Sequence, residues 1–307
     1  MSLLSKLFGR KKSPEEKREK ELYKTIQTLK IDGLKALKTG QIDAAKAFYK
    51  KILELKKDDL DGLIYLSKIA IRDNDLENAA FYLEKVIVLL PKSIDIKINL
   101  MSIYHLLHKD DRILELSKEV LLIDDKNTAA YYYQGIAYQE SKDLFNAIAA
   151  LTKCLTIESY HIDALFLRAK ILFQMHQIDN ALEDINKILE RDKGNEDASL
   201  LKAQIFEAKG DFDEAYSLLK KIVEINPFCI TAYHKAANIF INKKELDKAL
   251  EILDETIELN PDIAESYHLR GKTRFILGDK EGALADYEEL IKLDPSKKSD
   301  ITGEFKN

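Results

Sequence analysis

Residues 264–297 read AESYHLRGKTRFILGDKEGALADYEELIKLDPSK, and this stretch decides the fold. Its first half carries Tyr267 and Gly271, its second half Ala283 and Tyr287, and Leu277-Gly-Asp279 parts them. Glycine tolerates the left-handed φ that ends one helix, and aspartate caps the start of the next. Pro295 follows, where a missing N–H stops the second helix at little cost. Outward from here the pattern returns every 34 residues. Pro91, Pro227, Pro261 and Pro295 are spaced by 136, 34 and 34, and 136 is four periods. Ala45, Ala79, Ala147, Ala181, Ala215, Ala249 and Ala283 keep the same register, broken only at Ile113. Repeats starting at 26, 60, 94, 128, 162, 196, 230 and 264 give eight units without insertion. A period of this length predicts stacked supersecondary units rather than one globular core.

Each unit reads as two amphipathic helices with a short polar break, as in Lys38-Thr-Gly-Gln41, Arg72-Asp-Asn-Asp75 and Lys209-Gly-Asp211. Counted from the start of each unit, position 8 is Gly33, Ser67, Met101, Gly135, Ala169, Ala203, Ala237 and Gly271, small in seven cases of eight. Position 24 is mostly large, with Tyr49, Leu83, Leu151, Ile185, Leu219, Leu253 and Tyr287. Small residues facing large ones make the interdigitating surface of a helix pair.

This pattern resembles the tetratricopeptide repeat family, over residues 26 to about 297. The family places a large residue at position 4, small at 8, aromatic at 11, Ala at 20, aromatic at 24 and Pro at 32. The last unit matches at Tyr267, Gly271, Ala283, Tyr287 and Pro295, with Arg274 at position 11. The third unit departs most, with Lys97, Met101, Ile113, Ser117 and Asp125 at those positions, and reads either as a hinge or as divergence. The resemblance implies an all-α solenoid, a right-handed superhelix of eight helix-turn-helix units whose first helices line a concave wall. It also implies a protein-binding scaffold rather than an enzyme.

In that family, positions 2, 5, 9 and 12 of the first helices face the groove. Position 5 here is Lys30, Ile64, Ile98, Tyr132, Phe166, Leu200, His234 and His268. Position 9 adds Lys68, Lys170, Asn238 and Lys272, and position 12 adds Phe173. These residues are the candidate partner groove, suited to an extended or helical apolar segment. The alternative is that position 5 packs against the neighbouring unit. The family's carboxylate clamp is incomplete: Lys30 is followed by Leu34 where Asn is needed, and Tyr65 stands in the next unit's place. The acidic position 2 (Asp61, Asp95, Asp163, Asp197 and Glu265) reads as helix-start chemistry.

No P-loop, GxSxG or HExxH is present, and the repeats leave no room for a catalytic domain. His234 with His268, or His105 with His108, would supply two metal nitrogens each, but no residue set completes a tetrahedral site. Neither metal nor cofactor is expected. Cys154 and Cys229 form no CxxC pair, which favours a reducing compartment. The chain is 46% hydrophobic and 33% charged, with net charge -5. Residues 1–25 carry +4, leaving -9 for the rest, and an acidic body argues against nucleic-acid binding.

At the start, Leu3, Leu4, Leu7 and Phe8 share one side of a short helix before Arg10, Lys11 and Lys12. That is the pattern of a weak interfacial membrane contact, or else of a protein-docking arm. Its apolar part is too short for a secretory signal, so a cytoplasmic chain is expected, with peripheral contact at the inner membrane face and a disordered tail as alternatives for this segment. Ser13-Pro14-Glu15-Glu16 reads as a helix start with a capping box. Residues 298–307 read as a polar tail, with Ile301 and Phe305 four apart. An adaptor that binds a peptide or helix in the groove is the first functional expectation. A self-assembling structural subunit and a membrane-tethered assembly factor are the alternatives.

Overall fold

The computed structural model describes residues 13–298. The membrane-contact candidates Leu3, Leu4, Leu7, Phe8, Arg10, Lys11 and Lys12 lie outside the described residues, as do Ile301 and Phe305. Among the described residues every regular element is a helix. They divide into two compact units, one ending at Ser159 and one beginning at Tyr160.

The first unit holds α1 (Pro14–Lys38), α2 (Ile42–Leu55), α3 (Leu60–Arg72), α4 (Leu76–Leu89), α5 (Ile94–Leu106), α6 (Asp110–Leu121), α7 (Thr128–Glu140) and α8 (Leu144–Ile157). The second holds α9 (Ile162–Gln174), α10 (Ile178–Arg191), α11 (Glu196–Lys209), α12 (Phe212–Ile225), α13 (Ile230–Asn242), α14 (Leu246–Leu259), α15 (Ala264–Leu277) and α16 (Lys280–Leu293). A 3-10 turn, Pro295–Lys297, closes it. Within each unit every helix packs on the next, so odd and even helices form two layers of hairpins.

The helix ends follow from local chemistry. Ser13 Oγ accepts from the Glu16 N–H at 3.1 Å while the Ser13 N–H donates to Glu16 Oε2 at 2.8 Å, a complete capping box before Pro14. Pro91, Pro227, Pro261 and Pro295 each come one residue after the cap that ends a second helix. Position 15 of every hairpin has a left-handed backbone: Gly40, Asn74, His108, Lys142, His176, Gly210, Lys244 and Gly278 all have φ between 52 and 88. The sequence marks only its glycines and Asn74 as left-handed. His108, Lys142, His176 and Lys244 adopt the same φ because the hairpin geometry demands it, at a steric cost.

Close approach at position 8 is visible in the hairpin interior. A Cβ built on Gly135 would lie 2.6 Å from Leu151 Cδ2, and one on Gly33 would lie 2.9 Å from the Tyr49 ring. Bulk at position 24 therefore requires its absence at position 8. The third hairpin, α5 with α6, is not a loose joint. Met101 and Ile113 are 0% exposed, and they belong to a core running from Ala70 to Ala137. Lys97 is buried there too, its ammonium paired with Glu119. Its departures from the family pattern are accommodated within a packed core.

Candidate functional site

The odd-numbered helices carry the predicted groove residues, and each unit is built separately. In the first unit Lys30, Ile64, Ile98 and Tyr132 are all half-buried. Lys30 Nζ is held by Asp59 at 2.9 Å and Asp61 at 2.8 Å. Burial pulls its pKa down, but the hydrogen bonds to Asp61 and Asp59 outweigh this and leave it raised. Ile98 leans on the core of the third hairpin, so for that residue much of the surface is packing. Tyr132 lies beside Tyr133, ring centroids 5.8 Å apart. Tyr65 stacks on the buried Tyr49 ring at 4.7 Å, and the exposed Lys68 reaches over its other neighbourhood, Nζ 5.4 Å from the ring centre.

Along the same helix faces stand apolar side chains in the open. Ile31 is 65% exposed, Leu106 60%, Ile71 44% and Leu34 38%. They recur on α1, α3 and α5, the first helices of three successive hairpins. Positions 6 and 13, which supply Ile31 and Leu106, are not among those read from the sequence. Their signal was present as apolar residues 100° or less around the helix from position 5.

The second unit offers a different wall. Phe166 is half-buried with Lys170 Nζ 5.8 Å from its ring centre, and Leu200 packs into the core formed by α11 to α13. His234 Nε2 lies 2.8 Å from Oγ of Ser266, which is 0% exposed. Burial pushes the His234 pKa below the ordinary imidazole value, while nearby Glu265 pulls the other way. His268 sits 3.6 Å from Glu265 and beside the Tyr287 ring. Lys170 and Lys272 are exposed, and Asn238 and Phe173 are half-buried. This wall carries more polar and basic groups than the first, although Phe275 and Ile276 of α15 are exposed there as well.

Among the described residues no group of three or more His, Cys, Asp or Glu could hold a metal ion. His234 and His268 engage Ser266 and Glu265, and His108 is a link residue. Cys154 is fully buried, and burial pushes its thiol up to about 12, too high for nucleophilic use. No helix among the described residues is long and apolar enough to cross a membrane.

Five stretches match the tetratricopeptide repeat: residues 36–59, 129–157, 166–228, 206–272 and 264–297. No match is found among curated proteins. The structure is similar to a tetratricopeptide repeat protein from Parabacteroides merdae, with a TM-score of 0.61 and 21% identity over 76% of this chain and 93% of that one. It is similar to PilW, described as a type IV pilus biogenesis factor, at TM-score 0.54 and 16% identity over 66% of this chain and 94% of that one. YrrB, described as a protein of the same repeat with an unusual peptide-binding site, aligns at TM-score 0.50 and 23% identity over 61% and 96%. At these identities the likeness speaks to fold.

Proposed function

This chain belongs to the tetratricopeptide repeat family, and we propose that it is a non-enzymatic scaffold whose first-helix walls hold a segment of a partner protein. The observation that carries this is the apolar row of the first unit, with Ile31, Leu34, Ile71 and Leu106 exposed beside half-buried Ile64 and Tyr132. A monomeric chain leaves such a row in water only at a cost, and an amphipathic helix or extended apolar segment would cover it. Peptide binding named for YrrB, a protein of similar fold, is consistent with this use. Lys68 at the edge supplies a polar rim of the kind that orients a bound segment.

The test separates contact from packing. Tyr132→Ala and Phe166→Ala, made singly, should each weaken capture of the partner by about 2 kcal/mol if the ring is a buried anchor. The melting temperature should stay nearly unchanged. If instead capture is intact and the chain loses several kcal/mol of stability, the rings are inter-helix core and the wall is not the binding surface.

A further inference from the structure

The second helices of the second unit show a gap that the repeat pattern explains. At position 7 of the first helices stands a long cationic side chain in three of this unit's four hairpins: Arg168, Lys202 and Arg270. Each reaches to a flanking second helix. Arg168 grips Asp184 of α10 with bonds of 2.8 and 2.7 Å, and Lys202 Nζ donates to Asn186 of α10 at 2.7 Å. Arg270 spans the whole trough, from Asp254 of α14 at 2.6 Å to Asp286 of α16 at 2.7 Å. On α13 the residue at this position is Ala236.

With no side chain to fill it, the trough between α12 and α14 stays open as a cavity of about 420 Å³. Ala232 and Ala236 make its floor, with Tyr216, Val223 and Ile252 on its walls. Two carboxylates stand at its mouth, Glu224 on α12 and Glu255 on α14, the latter accepting the Tyr233 hydroxyl at 3.2 Å. The pair that holds Arg270 occupies positions 25 and 23 of its two helices. Glu224 and Glu255 occupy positions 29 and 26, about one helical turn further along both walls. At position 25 of α12 stands Lys220, which also lines the cavity, so the carboxylates available on these two walls are Glu224 and Glu255.

We propose that this trough is a socket for an arginine side chain presented by a partner protein, taking in trans what Arg270 provides in cis. The aliphatic stem would cover the Ala232, Ala236 and Ile252 surface, as long cationic side chains do on apolar ground. The guanidinium would lie between carboxylates of opposite walls, where its planar fork offers two parallel donors to a carboxylate and an ammonium offers a point charge. The socket uses the second-helix side of α12 to α14, so it stands or falls independently of the first-helix wall.

The test titrates the full chain with N-acetyl-arginine methylamide, following the Ala232 and Ala236 methyl signals by NMR. The citrulline analogue keeps the shape without the charge, and the norleucine and lysine analogues test stem and head separately. Saturable shifts with the arginine probe are expected, with the citrulline analogue weaker by roughly tenfold, the loss of one charge-assisted hydrogen bond. Glu224→Gln with Glu255→Gln should weaken the arginine probe by at least as much and leave the fold intact. Ala236→Arg, which supplies the residue that the eighth hairpin carries at this position, should abolish binding without lowering the melting temperature. A norleucine or lysine analogue that binds as well as arginine overturns the assignment, as does absence of a saturable shift. So does undiminished binding in the double Gln variant, which keeps the proposal testable should Ala236→Arg fail to fold.

Discussion

The third and eighth hairpins solve the same packing problem with opposite materials. In the third, positions 7 and 23 are Leu100 and Leu116, both at most 1% exposed within an extensive apolar core. In the eighth they are Arg270 and Asp286, whose carboxylate also accepts from Arg274 at 2.9 Å, while Ala283, Tyr287 and Leu290 make a small core. The third departs furthest from the family pattern and the eighth keeps it best. A match to the pattern therefore marks backbone geometry, set by positions such as Gly271 and Ala283, and says little about what fills the rest. Charge in the interior contributes less than it appears to, because desolvation offsets much of the attraction. Burial pulls the Arg270 pKa down, and only the bonds to Asp286 and Asp254 turn the net shift upward.

The sharpest way to break this comparison is to exchange the materials. Asp286→Ala leaves two half-buried guanidinium groups without their shared acceptor, Arg270 keeping only Asp254, and should cost about 3 kcal/mol. Replacing both partners, Arg270→Leu with Asp286→Leu, copies the third hairpin and should be near neutral or stabilising. Hydrogen exchange of the α15 and α16 amides reads both, since opening here is local in a repeat array. If the double variant is as damaged as Asp286→Ala, the pair contributes more than its shape, and the two hairpins are not equivalent solutions.

Much of the fold was legible because it depends on backbone spacing. The period, the capping box at Ser13 and the small-against-large pairs such as Gly33 with Tyr49 follow from residue size and turn chemistry alone. The left-handed links at Lys142 and Lys244 were not legible, since neither side chain favours that φ and only the hairpin imposes it. Half of the candidate wall was readable in the same limited sense. Position 5 was read from the repeat, but Ile31 and Leu106 were not, because exposure depends on what the neighbouring helix leaves uncovered. The open trough at Ala236 was illegible for the converse reason: an alanine in a helix looks unremarkable until the cavity above it is seen.

A smaller effect concerns how the eighth hairpin is held to the seventh. Beside buried Ser266, His234 has its pKa lowered, chiefly by burial, with Glu265 opposing. A base with a depressed folded pKa binds protons better unfolded, so the contact contributes fully above the ordinary value of 6.5 and is lost as pH falls below it. The protection of the α13 and α15 amides, taken relative to the intrinsic exchange rate at each pH, should thus fall between pH 7.5 and 5.5. His234→Gln should flatten that slope, and an unchanged slope in the variant would assign the pH dependence to other groups.

The smallest expected effect returns to the third and eighth hairpins at position 15. The third turns on His108, with φ 52, and the eighth on Gly278, with φ 88. A Cβ on Gly278 would meet nothing within 4 Å, so a side chain there is opposed by backbone conformation and not by crowding. The left-handed region costs a non-glycine residue about 1 kcal/mol, partly returned because glycine has more freedom to lose on folding. His108→Gly should therefore stabilise the third hairpin by roughly 0.5–1 kcal/mol, and Gly278→His should destabilise the eighth by a similar amount. Urea unfolding of both variants at one fixed pH reads the two changes. Two changes of equal size and opposite sign would show that the link is a pure backbone requirement, repeated eight times and filled without regard to preference. Two changes of the same sign would mean that the His108 side chain holds a contact of its own, and that the links, like the cores, are filled by different means.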